Sequence, residues 1–295
     1  VFTGGFLMLR EDFAAYRHVW TIPLLFVLFI VAANVNAATL YGVNTSNQLV
    51  SFNSATSGTV TTIGPVSGLQ PGEDVLGIDF RPATSQLYAL GSTGRLYVIN
   101  KTTGAAAFVA SLSMPLSGTA FGVDFNPTVD RFRIVSNTGQ NLRVNPNDGL
   151  VTSDSTLNPA TTGITAAAYT NNFNGSTMTT LYDIDVNNDT LYLQGGVNGS
   201  PSPNGGVLTA VGPLGVNATD VNGFDIHPDG NTALAALQVN GETTSKLYSI
   251  NLSTVMASFI GPIGAATALR GFAIRSGTAA SGRTSLDFDG DGKAD

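Results

Sequence analysis

The chain has no cysteine, and only 11% of its 295 residues are charged, where a soluble domain ordinarily carries about a quarter. Without thiols, a disulfide scaffold and a Cys-ligated zinc or iron–sulfur site are excluded. Positive charge is scarce: 3 Lys and 10 Arg stand against 20 acidic residues, a net charge of -7, so there is no basic footprint for nucleic acid. Histidine stops at two, His18 and His227, which excludes a zinc site built from several His. No Gly-x-Ser-x-Gly stands on a strand-to-helix turn to carry a serine nucleophile. What is abundant is 43% hydrophobic residues with 24 Asn, 34 Thr and 34 Gly, the composition of packed strands and turns rather than of a disordered chain.

Arg10, Arg17 and His18 precede a 15-residue apolar run from Val19 to Ala33, and Val35 and Ala37 offer small residues for cleavage. The run falls short of the roughly 20 residues that cross a bilayer, and residues 1–37 read as a secretory signal peptide. Met8 offers a start, which would place residues 1–7 upstream of it. No Cys follows the leader for lipid attachment, and no later apolar run is long enough to span. The mature chain is therefore expected outside the cytoplasm: secreted, on the cell surface or in the periplasm.

The mature chain repeats. GIDFRP (77–82), GVDFNP (122–127) and GFDIHP (223–228) share Gly, an apolar residue, Asp, an apolar residue and x-Pro. Weaker copies are AAAYTN (166–171) and GFAIRS (271–276), and successive copies start 45, 44, 57 and 48 residues apart. That spacing belongs to blade-type repeats. Each copy precedes short β-prone runs, such as QLYALGS, GRLYVIN and AAFVAS after the first. Asn53, Asn100, Asn145 and Asn251 close the third strand of their units, where Asn and the Gly that follows tolerate positive φ.

The ends of the repeat are irregular in a telling way. TLYGVNTS (39–46) matches the second strand of a unit, so the first unit lacks its Gly-x-Asp strand, while GFAIRS at the far end is a first strand without a unit. Joined, they make five units. The expected fold is all-β: a five-bladed β-propeller over residues 38–276, closed by pairing of the N- and C-terminal strands, which leaves no blade face or strand edge open to water. Residues 277–284 read as a linker.

LYGVNTSNQLVSFN, GIDFRPATSQLYAL and TLYDIDVNNDTLYLQ behind a signal peptide resemble the bacterial family numbered 4394 among domains of unknown function, a likeness that implies no activity and no ligand residues. Ala168 and Ala273 depart from the repeat by replacing its Asp. Residues 285–295 (SLDFDGDGKAD) resemble the start of an FG-GAP or VCBS-type repeat, a family of extracellular calcium-binding blades. Asp287, Asp289, Asp291 and Asp295 stand at positions 1, 3, 5 and 9 of an Asp-rich loop, with Gly292 at the turn and the Lys293 carbonyl at position 7. Four carboxylates on so short a turn repel unless a hard cation neutralises them, so calcium is the expected cofactor there.

Asp79, Asp124 and Asp225 lie on three innermost strands beside the channel, where a glycoside hydrolase would place an acid, a base and a third carboxylate. Equivalent repeat positions point instead to a shared structural task, each Asp accepting hydrogen bonds within its own blade. His227 is read as a surface residue. Asp183 and Asp185 fall within a strand and Asp189 at a hairpin turn, structural or solvated. Two acidic loops, Gln70–Asp74 and Asn217–Asp220, are expected to rim the channel, and the interruption at 195–205 is the longest in the repeat. The expected function is a non-enzymatic binding or structural module of a longer secreted or surface protein, with an unknown protein or glycan ligand. The alternative is a carbohydrate-active enzyme using Asp79, Asp124 and Asp225.

Overall fold

The computed structural model describes Val1 and residues 37–160, 163–264 and 268–275. Twenty strands among them form five four-stranded antiparallel sheets. In chain order, β1 (Thr39–Asn44), β2 (Gln48–Asn53) and β3 (Val60–Pro65) belong to blade 1. Blade 2 holds β4 (Val75–Arg81), β5 (Gln86–Gly91), β6 (Arg95–Ile99) and β7 (Ala106–Ser111), and blade 3 holds β8 (Phe121–Asn126), β9 (Arg131–Ser136), β10 (Asn141–Val144) and β11 (Val151–Ser153). Blade 4 holds β12 (Ile164–Tyr169), β13 (Leu181–Asp185), β14 (Thr190–Gln194) and β15 (Leu208–Pro213). Blade 5 holds β16 (Ala218–His227), β17 (Thr232–Val239), β18 (Ser245–Ile250) and β19 (Ala257–Pro262); the last strand is β20 (Leu269–Arg275).

The missing strand of blade 1 is β20. It pairs antiparallel with β1, Tyr41 opposite Ala273 and Gly42 opposite Phe272, so the two ends of the repeat share one sheet as the sequence predicts. The first strands of the blades form a closed ring of neighbours, β20 to β4, β8, β12, β16 and back to β20.

Burial falls from the axis outward. Every residue of β8 and β12 is buried, whereas β7 and β3 are largely half-buried or exposed. The sequence carries that gradient, since FGVDFN and ITAAAY have no charged side chain but one Asp, and VTTIGP gives polar Thr to the solvent. The apolar faces meet between blades rather than in one central core. Phe52, Leu234, Leu247 and Phe272 fill the seam between blades 5 and 1, Tyr41, Phe80 and Tyr97 that between 1 and 2, and Tyr88, Phe125 and Phe132 that between 2 and 3. Each such side chain, fully buried, stabilises by about 1.5–3 kcal/mol, and closure through Phe272 keeps the fifth seam as dry as the others.

The turn asparagines work differently from the expectation. Asn53, Asn100, Asn145 and Asn251 are not left-handed. Their Oδ1 atoms accept the N–H two residues on, from Ala55, Thr102, Asn147 and Ser253 at 2.8–3.1 Å, the side-chain mimic of a backbone turn. Positive φ falls to Gly104 and Gly149 after them and to hairpin residues such as Asn47, Asp130 and Asp189.

His227 is also corrected: it is buried, not on the surface. It ends β16, and its Nδ1 accepts the Asp229 N–H at 3.0 Å, closing the hairpin to β17. Asn126 does the same in blade 3, accepting the Thr128 N–H at 2.9 Å.

Candidate functional site

An inner strand of a propeller is an edge strand, with half its N–H groups turned to an axis too narrow for bulk water, and each needs an acceptor. The repeat Asp supplies it. Asp79 on β4 accepts the N–H of Phe80 through Oδ1 (2.6 Å) and that of Phe125, on β8 of the next blade, through Oδ2 (2.7 Å). Asp225 on β16 accepts Ile226 through Oδ1 and Ile274, on β20, through Oδ2, both at 2.6 Å. Each carboxylate thus binds its own strand and stitches it to the following blade. Asp124 on β8 faces the N–H groups of Phe125 and Tyr169 in the same manner, but neither of its oxygens reaches hydrogen-bond geometry.

The three carboxylates converge. One oxygen from each of Asp79, Asp124 and Asp225 lies within 4.8 Å of the other two, and all three residues are buried. Burial pushes the Asp225 carboxyl up to about 7 against the pull of the Ile274 and Ile226 N–H groups. Burial and then the charge of Asp225 hold Asp79 well above its ordinary value; burial and then the charges of Asp79 and Asp225 do the same for Asp124. Three like charges this close are compatible only with protons or a cation among them.

Access to the trio runs down the axis from one face. Leu76, Phe121, Val221 and Arg270, at the entry ends of the inner strands, line a mouth cavity of about 290 Å³ together with Asp220. Next along the strands stand Gly77, Gly122, Ala166, Gly223 and Gly271, around a passage with about 10 Å³ of free volume, room for about one water. The Asp positions follow two residues further, about 7 Å deeper. The small residues are required by the close approach of the strands: a Cβ on Gly223 would stand 2.4 Å from the Phe272 Cβ.

The acidic loops reach the mouth unequally. Asp74 pairs with Arg270 at 3.0 Å, and Asp220 lines the cavity. Glu73 turns inward instead. Its carboxylate accepts from the Thr93 hydroxyl and N–H, from the Tyr97 hydroxyl at 2.5 Å and from the Gln70 N–H at 3.0 Å. Burial pushes Glu73 up, but those donors outweigh it and hold the group below its usual value; burial and then Glu73 push the Tyr97 phenol up to about 12.

Between blades 3 and 4 lies a polar cluster that the sequence did not disclose. Arg133 is 1% exposed. Its guanidinium donates to Tyr169 Oη, Asn141 Oδ1, Asp154 Oδ2 and Asn204 Oδ1 at 2.7–3.1 Å. Asn204 and Pro203 come from the 195–205 interruption, which is bound inward here and lines a neighbouring cavity of about 210 Å³ with Asn126, Arg143 and Met178. The only advance sign was an Arg inside an apolar strand run, RFRIVS.

Of the other sequence candidates, Asp183 and Asp185 are buried on β13 and Asp189 takes φ 51 in the turn after it. Burial pushes Asp183 up to about 8, against the charge of Arg133, and its oxygens have no hydrogen-bond partner. Between pH 4 and 8 the unfolded chain ionises this group while the folded chain keeps it protonated, so its contribution to stability falls as pH rises through that window and levels off above it. Asp183→Asn is expected to melt with the parent near pH 4 and above it near pH 8; parallel midpoints across the range would refute this. Asp287, Asp289, Asp291, Lys293 and Asp295, like residues 2–36, where the signal peptide is expected, lie outside the described residues.

The class this defines is a five-bladed propeller whose axis is stitched by carboxylates of its own repeat. A family model described as a domain of unknown function (DUF4394) matches residues 48–273, and the chain belongs to that family; the FG-GAP-like residues 285–295 lie outside the match. No curated protein matches the chain. Among solved structures, a chain of the nidogen/laminin complex is similar at 8% identity with a TM-score of 0.50, over 81% of this chain and 98% of that one. A protein of unknown function from Bacteroides thetaiotaomicron aligns at 15% identity and TM-score 0.41, over 73% of this chain and 55% of that one. TolB from Acinetobacter baumannii aligns at 12% and 0.41, over 77% and 53%. At such identities the likeness concerns fold alone. No helix among the described residues is long and apolar enough to cross a membrane.

Proposed function

We propose that the chain is a non-enzymatic binding or structural propeller, exported as part of a longer secreted or surface protein, with an Asp-rich loop at 285–295 that takes calcium. The observation that carries this reading is the use to which the channel carboxylates are put. Asp79 and Asp225 each accept one backbone N–H from their own strand and one from the next blade, and the passage above them admits about one water. A glycoside hydrolase needs its acid and base on either side of a sugar ring, and a passage that admits about one water leaves no way in for that ring. Contact with a protein or glycan then falls to the open concavities, the mouth cavity with Asp220 and the pocket beside 195–205.

A glycan array and a broad hydrolase screen test the reading. Turnover is expected to be absent; activity lost in Asp79→Asn, Asp124→Asn or Asp225→Asn with folding intact would replace it with the enzyme reading. Calorimetric titration with calcium tests the terminal loop: combining Asp289→Ala with Asp291→Ala is expected to remove one calcium equivalent from the binding heat, and an unchanged stoichiometry would count against the loop.

A further inference from the structure

The axis holds one carboxylate more than its backbone donors occupy. Asp79 and Asp225 each take two N–H groups, but both oxygens of Asp124 are without a hydrogen-bond partner although the residue is 1% exposed. A buried carboxylate left in that state is costly unless a proton or a cation meets it. No Lys, Arg or His among the described residues forms an ion pair with any of the three. Whatever meets Asp124 must also reach the oxygens of Asp79 and Asp225 within 4.8 Å of it, and it must be small.

We propose that Asp79, Asp124 and Asp225 bind one calcium ion on the propeller axis, tying blades 2, 3 and 5 together. The spacing admits calcium. Calcium holds oxygens at about 2.3–2.6 Å, so ligands around it stand at most about 4.6–5.2 Å apart, and three oxygens within 4.8 Å of one another can share it. Magnesium demands a strict octahedron and usually keeps several waters, for which the narrow axis leaves little room. The N–H bonds to Asp79 and Asp225 do not compete, because a carboxylate oxygen accepts one proton and keeps a second lone pair for a metal. Asp124 brings two oxygens that no donor meets in hydrogen-bond geometry.

The full chain carrying Asp289→Ala and Asp291→Ala, so that the terminal loop contributes nothing, is stripped with chelator and reloaded. Elemental analysis is expected to find one calcium per chain, and calcium at a hundred times its Kd is expected to raise the melting midpoint by about 5–10 °C, magnesium by clearly less. Asp124→Asn and Asp124→Ala, the latter being what the repeat carries in blades 1 and 4, are expected to lose the calcium shift while melting near the metal-free parent. A parent that retains no calcium and ignores it, an equal shift with magnesium, or an undiminished shift in a folded Asp124 variant would each overturn the proposal. Should both variants fail to fold, the parent's metal content and calcium shift decide.

Discussion

Gly122→Ala is expected to destabilise the chain by about 3 kcal/mol or more, a large share of a domain's stability. The added methyl would sit 2.5 Å from the Ala166 carbonyl carbon and 2.6 Å from the Ala167 nitrogen. Those are backbone atoms of β12, held on one side by β8 and on the other by pairing with β13, so no side chain can swing away to make room. Gly122 is not at positive φ, and the cost is therefore purely one of space. Gly58→Ala supplies the contrast, since a Cβ there meets nothing within 4 Å, and it should stay within about 0.5 kcal/mol of the parent. Urea unfolding measures both; equal midpoints for Gly122→Ala and the parent would mean that the inner strands are not in backbone contact.

The second large effect is expected at Arg133→Met, about 3–5 kcal/mol. Methionine keeps much of the side-chain volume but withdraws four donors at once, taking them from the buried Tyr169 hydroxyl and the half-buried Asn204 and leaving Asn141 Oδ1 with Gln194 Nε2 alone. Asp154 is spared, because Arg143 holds both its oxygens at 2.7 and 2.8 Å. Arg143→Met removes a partner of the same Asp154 from a position 29% exposed, and is expected to cost about 1 kcal/mol or less. A ratio near one between the two variants would show that the ion pair, rather than the hydrogen-bonded cluster around Arg133, is what matters at this seam.

Much of the architecture was legible because a propeller writes its symmetry into the sequence. Gly77-x-Asp79, Gly122-x-Asp124 and Gly223-x-Asp225 recur at blade spacing, and the split first unit announced that β20 would join β1. The site was legible only in part. That the repeat Asp side chains accept backbone hydrogen bonds follows from their equivalence; that they bridge successive blades and meet at one point depends on how closely the inner strands approach, which no linear pattern records. His227 was misplaced because an isolated His carries no periodicity to say which way it faces. Arg133 was passed over because its acceptors come from four separate segments, Asn141, Asp154, Tyr169 and Asn204. Glu73, one of three glutamates in the chain, sits in a loop whose sequence gives no sign that Thr93 and Tyr97 surround its carboxylate.

Strand β20 has a consequence for how the molecule comes into being. It supplies both the innermost strand of blade 1 and the Ile274 N–H that Asp225 accepts. A ribosome delivers it after every other strand, so β1 to β3 emerge first and wait through the synthesis of four whole blades with an unpaired edge. Until residue 275 leaves the exit tunnel there is no ring, and the nascent chain must keep that waiting edge from pairing with another copy of itself.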